Sequence, residues 1–321
     1  MYIAFKNQDY LHYIIKQTKT HNLDNITRTH AYQTFYFQFP EIKWAFLASI
    51  VSRNAGWNMT DLNLKPFQKL LGEKERKRLF MTYERANWLI FSDAYPQLLT
   101  YKLSCKLNKP MFHLFDQLYI SKFMQREWLI FWEEQNTERL MSSLIINEQN
   151  VIQQPVVKQS FFQSRVFNEL PYRLQNFSYM NAVILPSESL PLYGAFVHNF
   201  TNLSRRIALG KHLATAVFNK QNYSNLVQFT RKEKHTGSRG DYEKYFDLPF
   251  PISPSLNQIY PSITHQDNIR NDWYKSRGIK KDWIDHKEVH IKTNVAKKFY
   301  RKRTALFSYV YLKEFMSKNN V

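Results

Sequence analysis

A chain of 321 residues, 44% hydrophobic and 22% charged, is long enough to bury a full core, which excludes wholesale disorder. Its 45 basic and 26 acidic side chains leave a formal charge of +19, so a polyanion or an anionic surface is a natural class of partner. The single cysteine, Cys105, excludes an internal disulfide framework and a multi-cysteine zinc site and fits a reducing compartment, read here as the cytoplasm.

Aromatic residues make up 16% of the chain and glycine occurs only seven times, which favours helices packed through large rings over hairpins. The expected fold class is all-α: a predominantly helical single domain over 1–321 with irregular proline-containing connections, any internal boundary falling in 149–201. No apolar stretch approaches the roughly 18 residues needed to span a bilayer. The opening "MYIAFKNQDYLHYIIKQTK" lacks the basic head, apolar middle and small-residue cleavage site of an export signal.

In chain order, "EIKWAFLASIVSRNAG" reads as a helix entered at Pro40 and Glu41 and stopped at Gly56. Trp44, Leu47 and Ile50 share one face, and Arg53 sits beside Ser49 and Phe46 with its stem on the apolar side. A long helix follows from "GEKERKRLF", broken or kinked at Pro96. Within it Glu84 has Phe80 and Trp88 four residues either side and Phe91 seven beyond, with Asn87 on the same stripe. Helices are predicted from Pro110 to about Ser121 and from about Phe123 to Asn147. The latter carries Trp128, Phe131, Trp132 and Gln135 on a stripe and holds most of an acidic belt at 126–148.

Between 149 and 201, short β-branched runs interrupted by prolines predict a connecting segment with one helix near Phe161 rather than a sheet. "TNLSRRIALGKHLATAVFN" is helical again, capped by Thr201 or Asn202. "DLPFPISPSLNQIYPS" should run extended over the surface. The last helix places Val295, Phe299, Leu306, Tyr309 and Val310 inward and Lys297, Lys298, Arg301 and Lys302 outward.

An unpaired guanidinium buried at position 53 would cost several kcal/mol. The expectation is that Arg53 meets Glu84 between their helices, with Asn54, Asn87 and, from an irregular loop after Gly56, Asn58 or Asp61 completing a polar cluster. Such a pair is either a clamp between helices or a site in which Glu84 acts as a general acid or base. "DHKEVH" at 285–290 places His286 and His290 four apart but reads as a solvated turn, so neither a metal site nor a cofactor is expected. Cys105 reads as a packed thiol. "TGSRGDY" lacks the spacing of a nucleotide-binding loop and reads as a mobile loop able to touch an anion through Arg239.

Basic and aromatic residues interleave from Lys297 to Arg303, and "YKSRGIKK" at 274–281 lies near Trp273 and Trp283. Cations that neutralise phosphates beside rings that stack on bases suit a nucleic acid or an anionic surface. The leading function is therefore a binding or interaction protein for an anionic partner, through Lys297, Lys298, Arg301, Lys302, Arg303 and Arg239. The alternatives are an enzyme, for instance a hydrolase, with Glu84, Arg53, Asn87 and Asn54 as catalytic candidates, and a scaffold in which that pair only clamps two helices.

At "EIKWAFLASIVSRNAGWNMTDL", "YERANWLIFSDAYPQLL" and "HTGSRGDYEKYF" the chain resembles the YppC-type family of bacilli and related Gram-positive bacteria, over nearly its whole length. The resemblance implies a bacterial cytosolic protein that is one continuous unit. It assigns no role to Arg53, Asn54, Trp57, Glu84 or Asn87.

Overall fold

The apolar periodicities of the chain produce helices almost throughout. The computed structural model describes residues 7–158, 179–197, 200–260, 263–266, 271–274, 278–284 and 294–319. Its principal helices are α1 (Asn7–His21), α2 (Asn25–Gln38), α3 (Lys43–Asp61), α4 (Lys65–Leu70), α5 (Glu73–Leu107), α6 (Lys122–Glu134) and α7 (Thr137–Val151). A short antiparallel pair, β1 (Ala182–Leu185) and β2 (Tyr193–Phe196), precedes α8 (Leu203–Phe218), α9 (Lys220–Lys232) and α10 (Ala296–Asn319). The fold is predominantly helical, as the composition predicts.

Local signals account for the clearest boundaries. Asp24 and Thr27 form a reciprocal capping box at the start of α2, the Thr27 N–H donating to Asp24 Oδ1 at 2.7 Å. Asn202 caps α8 by accepting from the Arg205 N–H at 3.0 Å. Asn108, in the left-handed conformation with φ 51°, closes α5.

Other boundaries differ from the sequence reading. Gly56 does not stop α3, which runs five residues further to Asp61, so Asn58 and Asp61 are helical. Its missing side chain serves close packing: a Cβ there would lie 2.4 Å from Asn25 Oδ1 and 2.9 Å from His235 Nε2. Pro96 lies inside α5 without ending it. The helix expected over 123–147 divides at Gln135, whose φ of 53° is left-handed, and Asn136 caps the second half. Pro110–Ser121 contains only a single tight turn at Phe112–Asp116.

The segment read as a sheet-free connection contains β1 and β2. These strands are only four residues long, below the length at which alternation is legible. Of the stretch expected to lie over the surface, Ser253 and Leu256 are buried, and Leu256 starts a short helical turn. The helix expected near Phe161 and the histidines at 286 and 290 lie outside the described residues.

Two apolar clusters make up the core. One gathers α1, α2, the first half of α3, the second half of α5, α6 and α7 around Trp44, Phe46, Phe91 and Trp128. The other holds Trp57, Phe67, Leu79, Tyr179, Phe229 and Phe299. Helices α3 and α5 run through both and so connect them.

Candidate functional site

The stretch "SRNAGWNMTD" forms the second half of α3 and is almost entirely buried despite its polarity. The Asn54 amide donates to Ile184 O and accepts from the Ile184 N–H, both at 2.7 Å, as a neighbouring strand would. Asn58 donates to Met180 O at 2.9 Å, and Thr60 Oγ1 donates to Gly237 O at 2.7 Å. Buried polar groups need such partners, and the segment 235–243 supplies those of Trp57, Thr60 and Asp61 and a second one for Asn58.

That segment is a buried lock rather than a mobile anion loop. Arg239 is fully buried, pairs with Asp61 through Nε and donates to Asn58 Oδ1 at 2.7 Å. Asp241 accepts from Trp57 Nε1 at 3.2 Å, and His235 Nε2 lies 2.8 Å from Asn25 Oδ1. Burial holds the His235 imidazole towards its neutral form, against the opposing pull of Asp241. Glu243 pairs with Arg303, whose guanidinium lies 4.4 Å from the Phe250 ring and 5.3 Å from that of Tyr179. Arg239 and Arg303 are thereby removed from the expected anion-binding surface, because both charges are satisfied inside the protein.

Arg53 and Glu84 are both buried, as their apolar neighbours require, but each is bonded to other groups. Glu84 accepts from Arg28 of α2 and, at 2.8 Å, from His265 Nε2; the His265 ring stacks on Trp88 at 4.8 Å. Burial raises the Glu84 carboxyl, yet the His265 hydrogen bond and the Arg28 charge outweigh it and hold the group below the ordinary carboxylate range. Arg53 donates through Nη2 to Gln33 Oε1 at 3.0 Å and to Glu233 O at 3.2 Å. Burial lowers its pKa to about 10, against the attraction of Asp241 and Glu233. Asn87 donates to Tyr83 O at 2.7 Å.

Beside these groups lies a cavity of about 250 Å³ bounded by α2, α3, α5, α7, β1 and α8. Asn54, Asn58 and Asn87 line it, whereas Arg53 and Glu84 do not. Its walls are mainly apolar, with Leu47, Leu79, Ile152, Val183 and Leu213 among them, and Val51, Thr82, Tyr83 and Ala86 lie at its more exposed side. Gly210 lets α8 approach α7: a Cβ there would come within 2.7 Å of Ile145 Cγ2. Into this cavity face Arg28, Tyr32, Glu148 and Arg206.

Glu148 is the unusual group. Its carboxylate accepts from Trp44 Nε1 at 3.0 Å and from Gln149 Nε2 at 2.9 Å, both neutral donors. Burial pushes its pKa up to about 7, the two hydrogen bonds only partly opposing. Arg206 is held by neighbouring oxygens, donating to Gln149 Oε1 at 2.9 Å and Phe200 O at 2.7 Å.

On α10, Lys297, Lys298 and Arg301 are exposed as expected and Lys302 is half-buried. Lys298 and Lys302 lie over the Phe196 ring, at 4.7 and 5.1 Å. Tyr309, read as inward, is 56% exposed, and Cys105, read as packed, is exposed on α5. Among the described residues no three His, Cys, Asp or Glu side chains converge as metal ligands, and no helix is long and apolar enough to cross a membrane.

Sequence reasoning missed Arg28, Tyr32 and Glu148. Arg28 lies four residues before Tyr32 and seven before Phe35 on an apolar helix face, the same signature that singled out Glu84. Glu148 follows Leu144 by four and precedes Val151 and Ile152 by three and four, but its place at the end of an acidic belt concealed it.

No solved structure matches the chain. The chain is 44% identical over 306 residues to the uncharacterized protein YppC of Bacillus subtilis (strain 168), covering 95% of each chain. The family described as protein of unknown function DUF2515 matches residues 20–303. The chain therefore belongs to this family, as the motifs on α3, α5 and the 235–246 segment led us to expect.

Proposed function

We propose that this protein binds a small, largely apolar molecule in the cavity between α2, α3, α5, α7 and α8. The observation that carries the reading is a mainly apolar space of about 250 Å³ that keeps a half-buried, ionisable carboxyl, Glu148, at its wall. Apolar concavities with few polar groups are the usual form of small-molecule sites. In this reading the Arg28–Glu84 pair and the 235–243 lock are the scaffold that holds the walls, and Asn54 and Asn87 belong to the cavity rather than to a catalytic cluster. Titration with cumene, an apolar probe, followed by ligand-observed NMR, tests it. Binding should be saturable in the wild type and lost in Ala86→Leu, which fills the space. Equal binding by both proteins would overturn the reading.

A second reading keeps the anionic partner, nucleic acid or an anionic surface, on α10 in a cytoplasmic protein. It is favoured by the exposure of Lys297, Lys298 and Arg301 on one helix of a chain carrying +19. Binding of this kind should weaken steeply as salt rises. Replacing Lys297, Lys298 and Arg301 by Glu should abolish retention on both single-stranded DNA and vesicles containing phosphatidylglycerol if these residues form the contact.

A further inference from the structure

Two residues that line the cavity each carry a buried hydrogen-bond donor with no acceptor. Tyr32 is 3% exposed and Arg28 1% exposed, and neither the Tyr32 hydroxyl nor the Arg28 Nε–H has a hydrogen-bond partner. Other buried groups without partners, such as Arg53 Nε, Tyr179 Oη and Arg303 Nε, belong to residues that do not line this cavity; Arg28 and Tyr32 do. They are four residues apart on α2 and therefore share a face one turn apart. A buried donor without an acceptor costs about 1–3 kcal/mol, so two of them at the wall of an apolar space call for a bound acceptor.

The surrounding charges narrow what that acceptor is. The Arg28 charge is already balanced by Glu84. A multiply charged phosphate would meet Glu148, with the Arg28 charge balanced by Glu84 and Arg206 already donating to Gln149 and Phe200. A cationic head would find Glu148 already accepting from Trp44 and Gln149. What fits two unpartnered donors at a mainly apolar space is a single oxygen on a neutral or singly charged head.

Resting on the binding reading above, we infer that the cavity receives a small apolar molecule through a carbonyl oxygen, accepted between the Tyr32 hydroxyl and the Arg28 Nε–H. The rest of the molecule lies against Leu47, Leu79, Ile152 and Leu213. The shared chemistry is that of ketones and carboxylic acids, and the probes below separate the two.

The test compares acetophenone, benzoate and cumene, which share an aromatic body and differ in the head, on the full chain and on Tyr32→Phe. At least one of the two oxygen-bearing probes should bind about tenfold more tightly than cumene, and its identity tells a neutral carbonyl head from a carboxylate. Tyr32→Phe should remove most of that advantage and leave the cumene affinity unchanged. Its unliganded Tm should equal or exceed the wild type's, because no hydrogen bond is lost. Equal affinity for all three probes, an equal loss for all three in Tyr32→Phe, or a clear fall in Tm would overturn the inference while leaving the apolar binding reading intact. Failure of every probe, cumene included, would overturn both.

Discussion

Two sets of polar groups flank α3, and they are built on opposite terms. In the lock around 235–243, Asp61 meets Arg239 and Glu243 meets Arg303, so each buried charge touches one of opposite sign. Around the cavity, Glu148 has only the neutral donors Trp44 and Gln149, and Tyr32 has none of its own to satisfy its hydroxyl. The first arrangement balances its charges, and none of these four residues lines the cavity. The second has both a space beside it and polar capacity for a ligand, which teaches that an incompletely partnered polar group becomes informative about binding when it belongs to a cavity wall.

The sharpest way to break this comparison is Asp61→Ala, which leaves the Arg239 guanidinium buried without its carboxylate. Loss of about 3–5 kcal/mol in urea unfolding is expected, as for other one-sided removals from buried ion pairs. A loss below about 1 kcal/mol would mean that the lock is not structural. Glu84→Gln should cost about 3 kcal/mol at pH 7 by the same logic, because Arg28 loses its counter-charge. The Glu84 carboxyl is held below its ordinary range when folded, so its contribution is present above the unfolded pKa and is lost as pH falls through the lower folded value. The difference between wild type and variant should therefore shrink in acid, below about pH 4.

Glu148 should show the opposite sign. Its folded pKa of about 7 lies above the ordinary 4.5, so the stability it contributes is complete below pH 4.5 and is lost as pH rises to about 7. The loss over that interval is on the order of 3 kcal/mol. In Glu148→Gln this component should vanish, leaving unfolding free energies at pH 5 and pH 8 closer together than in the wild type. Parallel pH profiles would show that the carboxyl is not perturbed. The smallest effect is expected for Asn54→Ala, about 2 kcal/mol, because the Ile184 N–H and C=O both lose their partner. Its unfolding midpoint should fall without the pH signatures of the Glu84 and Glu148 variants.

The burial of Arg53 and Glu84 was legible because each interrupts an apolar helix face. Their pairing was not, because a face shows that a charge points inward without showing which helix will meet it. Arg28, with the same signature 56 residues before Glu84, won that contact. Gly56 misled for a related reason: one letter serves both for helix termination and for close packing, and only Asn25 and His235 on its far side decide between them. Arg239 and Arg303 could not be told from surface cations, since each is buried by rings and carboxylates distant in sequence. The helical class, the Asn202 cap and the exposed Lys297, Lys298 and Arg301 depend on local pattern and emerged as expected.

The bonds from Asn54 to Ile184 bear on self-association. They occupy the outward backbone groups of β1 at its midpoint, while the Asn294 bridge to Tyr193 and the Val295 N–H to Leu192 O bond at 2.9 Å cover the far flank of β2. An open strand margin is where sheets from separate molecules add to one another. With a helix side chain on one margin and the approach to α10 on the other, this two-stranded element cannot readily seed such growth, and Asn54→Ala would leave the Ile184 N–H and C=O on the α3 margin without their partner.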